Sequence, residues 1–129
     1  MERTLSNGNI VFISRIASRL GFVAPGDVVI VSHYTPEKGY VRLIKRVVAA
    51  QGQKVEIKNG KLFVDGTEQK EDYAFGETLG DVSLIVPEES FFVLGDNRED
   101  SLDSRTLGSI HKDMITARAL FRLLPPKKI

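Results

Sequence analysis

Apolar residues fall along this chain in short, separated runs rather than at helical spacing. Ile10 to Ile13, Val28 to Val31, Val82 to Val86 and Phe91 to Leu94 are β-branched or aromatic stretches bounded by Gly, Pro, Asn, Asp or Ser, which predicts short buried strands. The longest extended stretch is Tyr40 to Ala50, with Val41, Leu43, Val47 and Ala49 on one parity; Met114 to Leu124 predicts a last strand. The clearest local structure is Val55 to Val64. Asn59-Gly60 is the dipeptide that a two-residue type I′ hairpin prefers, and it pairs Lys58 with Lys61, Ile57 with Leu62 and Val55 with Val64. Those four apolar residues then share one face, leaving Glu56 and Phe63 on the other. Turns are expected at 6–9, around Pro36 and Gly39, at Asp65-Gly66, and over 87–90 and 110–113. Residues 68–80 read as an exposed polar loop, and the tail from Pro125 as loosely held. Only Ser14 to Leu20, with Ile16, Ala17 and Leu20, hints at a helical turn or two. The pattern predicts a mainly β fold of antiparallel sheets with little helix, one domain over 1–129.

Composition narrows the function more than the fold. With 129 residues, 42% apolar and 27% charged, the chain can build a core without staples. A net charge of +1 gives no reason to expect a nucleic-acid partner, and the absence of cysteine excludes disulfides and thiolate metal sites. His33 and His111 each fall in a loop-like setting, and no His, Asp and Glu cluster has metal-ligand spacing, so no metal or other cofactor is expected. Histidine-based and zinc-based hydrolysis are both disfavoured. No run approaches the ~18 apolar residues of a membrane span.

Two features remain that composition does not explain. Lys45 sits on the apolar parity of its strand, either as a snorkelling surface residue or with its amine held out of water. Gly95 to Arg105, GDNREDSLDSR, carries six charges and two hydroxyls in eleven residues directly after an apolar strand. A solvated turn would account for its Gly and Asn, but alternating opposite charges set against a hydrophobic strand point to internal ion pairs. A lysine can serve as base for a serine nucleophile. At its ordinary pKa of ~10.4, on the order of one lysine in 2,500 is neutral at pH 7. Burial corrects this because it penalises the charged form; lowering the pKa to ~8 costs roughly 3 kcal/mol of folding free energy, at about 1.36 kcal/mol per unit.

The charged stretch resembles the last sequence box of the bacterial type I signal peptidases: Gly-Asp-Asn, three residues, Ser, one residue, Asp-Ser-Arg. Leu43 to Val48 is similar to that family's segment around its catalytic lysine, Pro25 to Val29 to another box, and Met1 to Leu5 to the segment just after its nucleophile. The resemblance covers nearly the whole chain in family order. It implies coiled antiparallel sheets, Lys45 as general base, and Ser101 as the hydroxyl that orients its amine. It pairs Arg46 with Asp96 and Asp103 with Arg105 as scaffold, and leaves Arg98, Glu99 and Asp100 solvated. Met1, Leu43 and Ile44 match positions near the family's small-residue pocket, although core packing is the plainer reading of Leu43 and Ile44.

The implied substrates are exported preproteins with signal peptides, cut after small residues at the first and third positions before the bond. The implied place is the extracytoplasmic face of a bacterial membrane, where the family is anchored and meets the membrane surface. In that pattern Met1 follows the nucleophilic serine, so the chain as written is expected to be inactive. Arg3, Asn9 and 49–53 depart from the pattern. A non-catalytic relative that assists surface pilus assembly is the alternative. A self-cleaving repressor type ranks last, because it lacks the Asp-Ser-Arg box.

Overall fold

The computed structural model describes residues 10–14, 23–71, 74, 76, 78–99 and 102–121, with side chains over 23–119 of these. The strands are β1 (Ile10–Ser14), β2 (Val28–Thr35), β3 (Gly39–Ala50), β4 (Lys54–Lys58), β5 (Lys61–Val64), β6 (Thr67–Glu68), β7 (Val82–Ile85), β8 (Ser90–Leu94), β9 (Ile110–His111) and β10 (Ile115–Phe121). One short helix, α1 (Ser104–Leu107), and a 3-10 turn at Lys112–Met114 complete the described elements. A six-stranded sheet runs β1-β10-β2-β3-β8-β9 and a four-stranded one β6-β5-β4-β7; every strand pair is antiparallel.

The hairpin of β4 and β5 has the register that its sequence predicts, Val55↔Val64, Glu56↔Phe63, Ile57↔Leu62 and Lys58↔Lys61. Asn59 and Gly60 both take positive φ, 53° and 78°, as a type I′ turn requires. Asp65 and Gly66 repeat the device, joining Val64 to Thr67. The inward face, Val55, Ile57, Leu62 and Val64, packs with Val86 against Val48, Ala49, Phe92 and Leu94 of the larger sheet. Full burial of each such side chain contributes roughly 1.5–3 kcal/mol.

The opposite face of the larger sheet holds a second cluster, Val29, Val31, Val47, Val93, Ile110 and Ile115, with Leu43 packed against it. Strand β8 therefore buries both faces, as its unbroken apolar run suggests. Between Val47 and Ala49 the pairing of β3 with β8 slips by one residue, leaving Val48 without a Cα partner. This β-bulge corrects the simple parity reading: Ala49 joins Val48 in the first cluster, away from Leu43 and Val47. Two further expectations shift. The second strand continues four residues past Val31 to Thr35, so His33 lies in β2 opposite Val41 and not in a loop. Residues 110–113 contribute a short strand as well as a turn, with the His111 imidazole capping the 3-10 turn. The helical turns expected within 15–20, the turn at 6–9 and the tail from Pro125 lie outside the described residues.

Candidate active site

Lys45 lies in the middle of the larger sheet, opposite Val29 on β2 and between Leu43 and Val47 along β3. All three neighbours belong to the second apolar cluster, and the lysine itself is only 8% exposed. Strand alternation turns the next residue, Arg46, to the other face, beside Val28 and Leu94 in register. Its guanidinium grips Asp96, with Nε donating to Oδ1 and Nη2 to Oδ2, each at 3.2 Å, while Nη1 donates to the carbonyl of Gly26 at 2.9 Å. Asp96 has no exposed surface. The Pro25-Gly26-Asp27 turn is stitched to the same strand: the Gly26 amide donates to the Val47 carbonyl and the Val47 amide to the Asp27 carbonyl, both at 2.8 Å. The Asp27 carboxylate closes that turn by accepting from the Ala24 amide.

The charged stretch after β8 folds back on itself through Asp103. One carboxylate oxygen accepts from the Gly95 amide at 3.1 Å and from Arg105 Nη2 at 2.8 Å. The other accepts from the Arg105 amide at 3.1 Å and its Nε at 2.9 Å. Burial pushes the Asp103 carboxyl up, but the Arg105 guanidinium, the Gly95 amide and the positive charge of Arg105 outweigh it and hold the group below its ordinary value. Asp103 also caps α1, which ends at Gly108 with φ of 79°. Ser104 is buried, and its hydroxyl accepts from the Val93 amide at 2.9 Å, tying the helix back to β8. Nothing in the sequence pattern singles out Ser104 for this, since the tie forms across the turn.

Arg98 overturns the expectation of a solvated side chain. It is 1% exposed, and its guanidinium donates to Gly95, Glu71 and Thr78. Residues 68–80 are accordingly no simple exposed loop, since Thr78 is buried and the Glu71 carboxylate nearly so. Glu99 is exposed as expected; Asp100, Ser101 and Met1 lie outside the described residues. Leu43 packs beside Lys45, whereas Ile44 stands opposite Ile30 on the other face. Among the described residues no group of three or more His, Cys, Asp or Glu could hold a metal ion, and no helix is long and apolar enough to cross a membrane.

Along β3, Lys45 therefore faces an apolar surface while Arg46 faces the other way, and the carboxylates of Asp96 and Asp103 are each paired with an arginine.

Residues 1–124 match the model of the family described as signal peptidase, peptidase S26. The chain is 35% identical over 138 residues to thylakoidal processing peptidase 1 of Arabidopsis thaliana chloroplasts, covering 100% of this chain and 41% of that protein. It is likewise 35% identical over 144 residues to signal peptidase IB of Staphylococcus aureus, covering 97% of this chain and 73% of that one. It therefore spans less than half the length of the plant relative. A crystal structure of a signal peptidase I from Enterococcus faecalis superposes with a TM-score of 0.60 at 27% identity, covering 78% of this chain and 96% of the other. The matched stretch includes every element that meets at Lys45, and this chain belongs to the signal peptidase family, peptidase S26.

Proposed function

We propose that this chain is the catalytic β domain of a signal-peptide-cleaving serine endopeptidase, with Lys45 as its general base. The observation that carries the reading is the burial of Lys45, at 8% exposure, among Val29, Leu43 and Val47 in the middle of the larger sheet. In the family's pattern the nucleophilic serine stands directly ahead of Met1. Lys45 takes the proton of that hydroxyl as it attacks the scissile carbonyl, then returns it to the leaving amine. Ser101 orients the lysine amine without adding charge. The pairs Arg46–Asp96 and Asp103–Arg105 hold the strand and the turn together and keep their carboxylates away from proton transfer. The preprotein lies extended along a strand edge, with Met1, Leu43 and Ile44 near its small side chains. The reaction takes place at the extracytoplasmic membrane surface.

The test compares two samples on a preprotein with an Ala-x-Ala cleavage site in detergent. One is this chain; the other carries a serine and an apolar segment ahead of Met1. Cleavage by the second alone is the expected result. Failure of both, with both folded, would favour a non-catalytic relative of the kind that assists pilus assembly. Cleavage by the first would show that the nucleophile lies elsewhere.

A further inference from the structure

Past Val31 one edge of β2 is open. Strand β10 pairs with β2 through Val31, Ile30 and Val29, and among the described residues no strand pairs with residues 32–35 on that side. The 3-10 turn at Lys112–Met114 leads into β10, and a cavity of about 500 Å³ lies between this turn and the open edge. It is lined by Ser32, Tyr34, Tyr40, Asp113, Met114 and Thr116. That volume is within the ~300–1,000 Å³ of ordinary ligand sites. Strand alternation puts Ser32 and Tyr34 on the face of the sheet away from Lys45, which stands opposite Val29.

The chemistry of the lining is one-sided. Tyr34 and Tyr40 stand opposite each other in register, with ring centroids 5.2 Å apart and planes at 68°. They are 57% and 75% exposed, and the face of an aromatic ring carries partial negative charge. Asp113 adds a carboxylate. His111 Nδ1 accepts from the Asp113 amide, so that nitrogen has no proton to share with the carboxylate Oδ2 3.5 Å away. A carboxylate also accepts several donors at once. Thr116, in the bulge of β10, donates its hydroxyl to the Ile30 carbonyl at 3.4 Å, which leaves its oxygen to act as an acceptor. No lysine, arginine or histidine lines the cavity. Arg42 shares this face, opposite Ser32, but is exposed and outside the lining.

Two aromatic rings, a carboxylate and hydroxyl acceptors with no cation select an ammonium group, and Met114 suits the alkyl stem that carries it. The open edge decides what that stem belongs to. An extended peptide can hydrogen-bond along residues 32–35 as an added strand and turn one side chain into the cavity. A lipid headgroup or a free amine would use the cavity and not the edge.

We propose that this cavity binds the lysine side chain of an extended peptide that lies along the open edge of β2 at residues 32–35. The site needs neither a nucleophile nor Lys45, so it stands apart from the function proposed above.

The test uses the chain as it stands and a capped peptide with one central lysine among neutral residues, titrated while the backbone amide resonances are followed. Shifts at 32–35, 40 and 113–116 are expected, with slower amide exchange within 32–35. Replacing the peptide's lysine by norleucine, or changing Tyr34→Ala or Asp113→Asn in the protein, should each weaken binding about 2–5-fold, the size of one exposed cation–π contact or ion pair. Both protein positions are exposed, and unchanged resonances over 55–64 will show that the variants are folded. Arg42→Gln should tighten binding, because it removes a like charge from the same face. Weaker binding in that variant would mean an anionic ligand and would overturn the proposal. Equal binding of the norleucine peptide would sink the cation site. Butylamine that binds as tightly as the peptide would show that the edge takes no part, and so remove the peptide as occupant. Binding to phosphatidylcholine vesicles that is lost in Tyr34→Ala, with no shifts from the peptide, would assign the surface to a membrane instead.

Discussion

The β4–β5 hairpin and the turn from Gly95 to Arg105 are both built around glycine and asparagine, and they are held in opposite ways. In the hairpin ten consecutive residues contain the turn, the register and the buried face. In the turn, three of the charged side chains that settle the conformation find at least part of their partner set elsewhere. Asp96 is held by Arg46, Arg98 by Glu71 and Thr78, and Arg105 reaches Leu79 in addition to Asp103. The hairpin is a local structure that would keep its shape on many scaffolds. The turn is a long-range one, and its geometry is a property of the sheets that bring residues 26, 46, 71 and 79 to it.

The comparison can be broken most sharply at the residue the turn is proposed to serve. In the chain extended by a serine ahead of Met1, Lys45→Ala should reduce cleavage by about 10²–10⁴-fold or more while leaving the hairpin amides as protected as before. Normal turnover would remove Lys45 as the base. Next in size is Asp103→Ala, which strips four hydrogen bonds from Gly95 and Arg105 and leaves the guanidinium beside an empty space. A loss of roughly 3–5 kcal/mol in urea unfolding is expected, since one member of a buried pair is gone. A change under about 1 kcal/mol would mean that solvent replaces Asp103 readily.

Acid should act on the same group. The folded Asp103 has its pKa depressed, so its contribution is fully present above the unfolded value, near 3.9, and is lost as pH falls through the folded value. Urea midpoints should therefore drop below about pH 4, and Asp103→Ala should flatten that part of the profile. A variant with the same acid slope as the parent would assign the slope to other carboxylates.

The smallest effect belongs to the local structure. Gly60→Ala forces a Cβ into a left-handed backbone at φ of 78°, and should cost about 1–2 kcal/mol without changing kcat. A kcat that fell in step with stability would show that hairpin and turn are not independent.

These differences in origin explain what was legible. The pairing of 55–64, the turn at Asp65-Gly66 and the apolar strands β7 and β8 follow from alternation and positive-φ dipeptides, and the pairing of Arg46 with Asp96 is what the family resemblance implies. The burial of Arg98 does not, because a lone arginine in a polar turn looks solvated until Glu71 is brought within hydrogen-bond distance. Strand parity puts Ala49 on the wrong face for a related reason. A bulge shifts parity by one, and nothing in Val47-Val48-Ala49-Ala50 marks the slip. Ser104 became visible as a tie only when α1 folded back over β8.

By itself, then, the order of residues determined the β class and the hairpin register and made one lysine and one charged box stand out, all of which depend on neighbours a few positions apart or on motif spacing. Only the tertiary structure decided which charges are buried and with whom. Whether an arginine is solvated or becomes a clamp depends on the desolvation of a guanidinium against a carboxylate 27 residues distant, and no local pattern encodes that meeting.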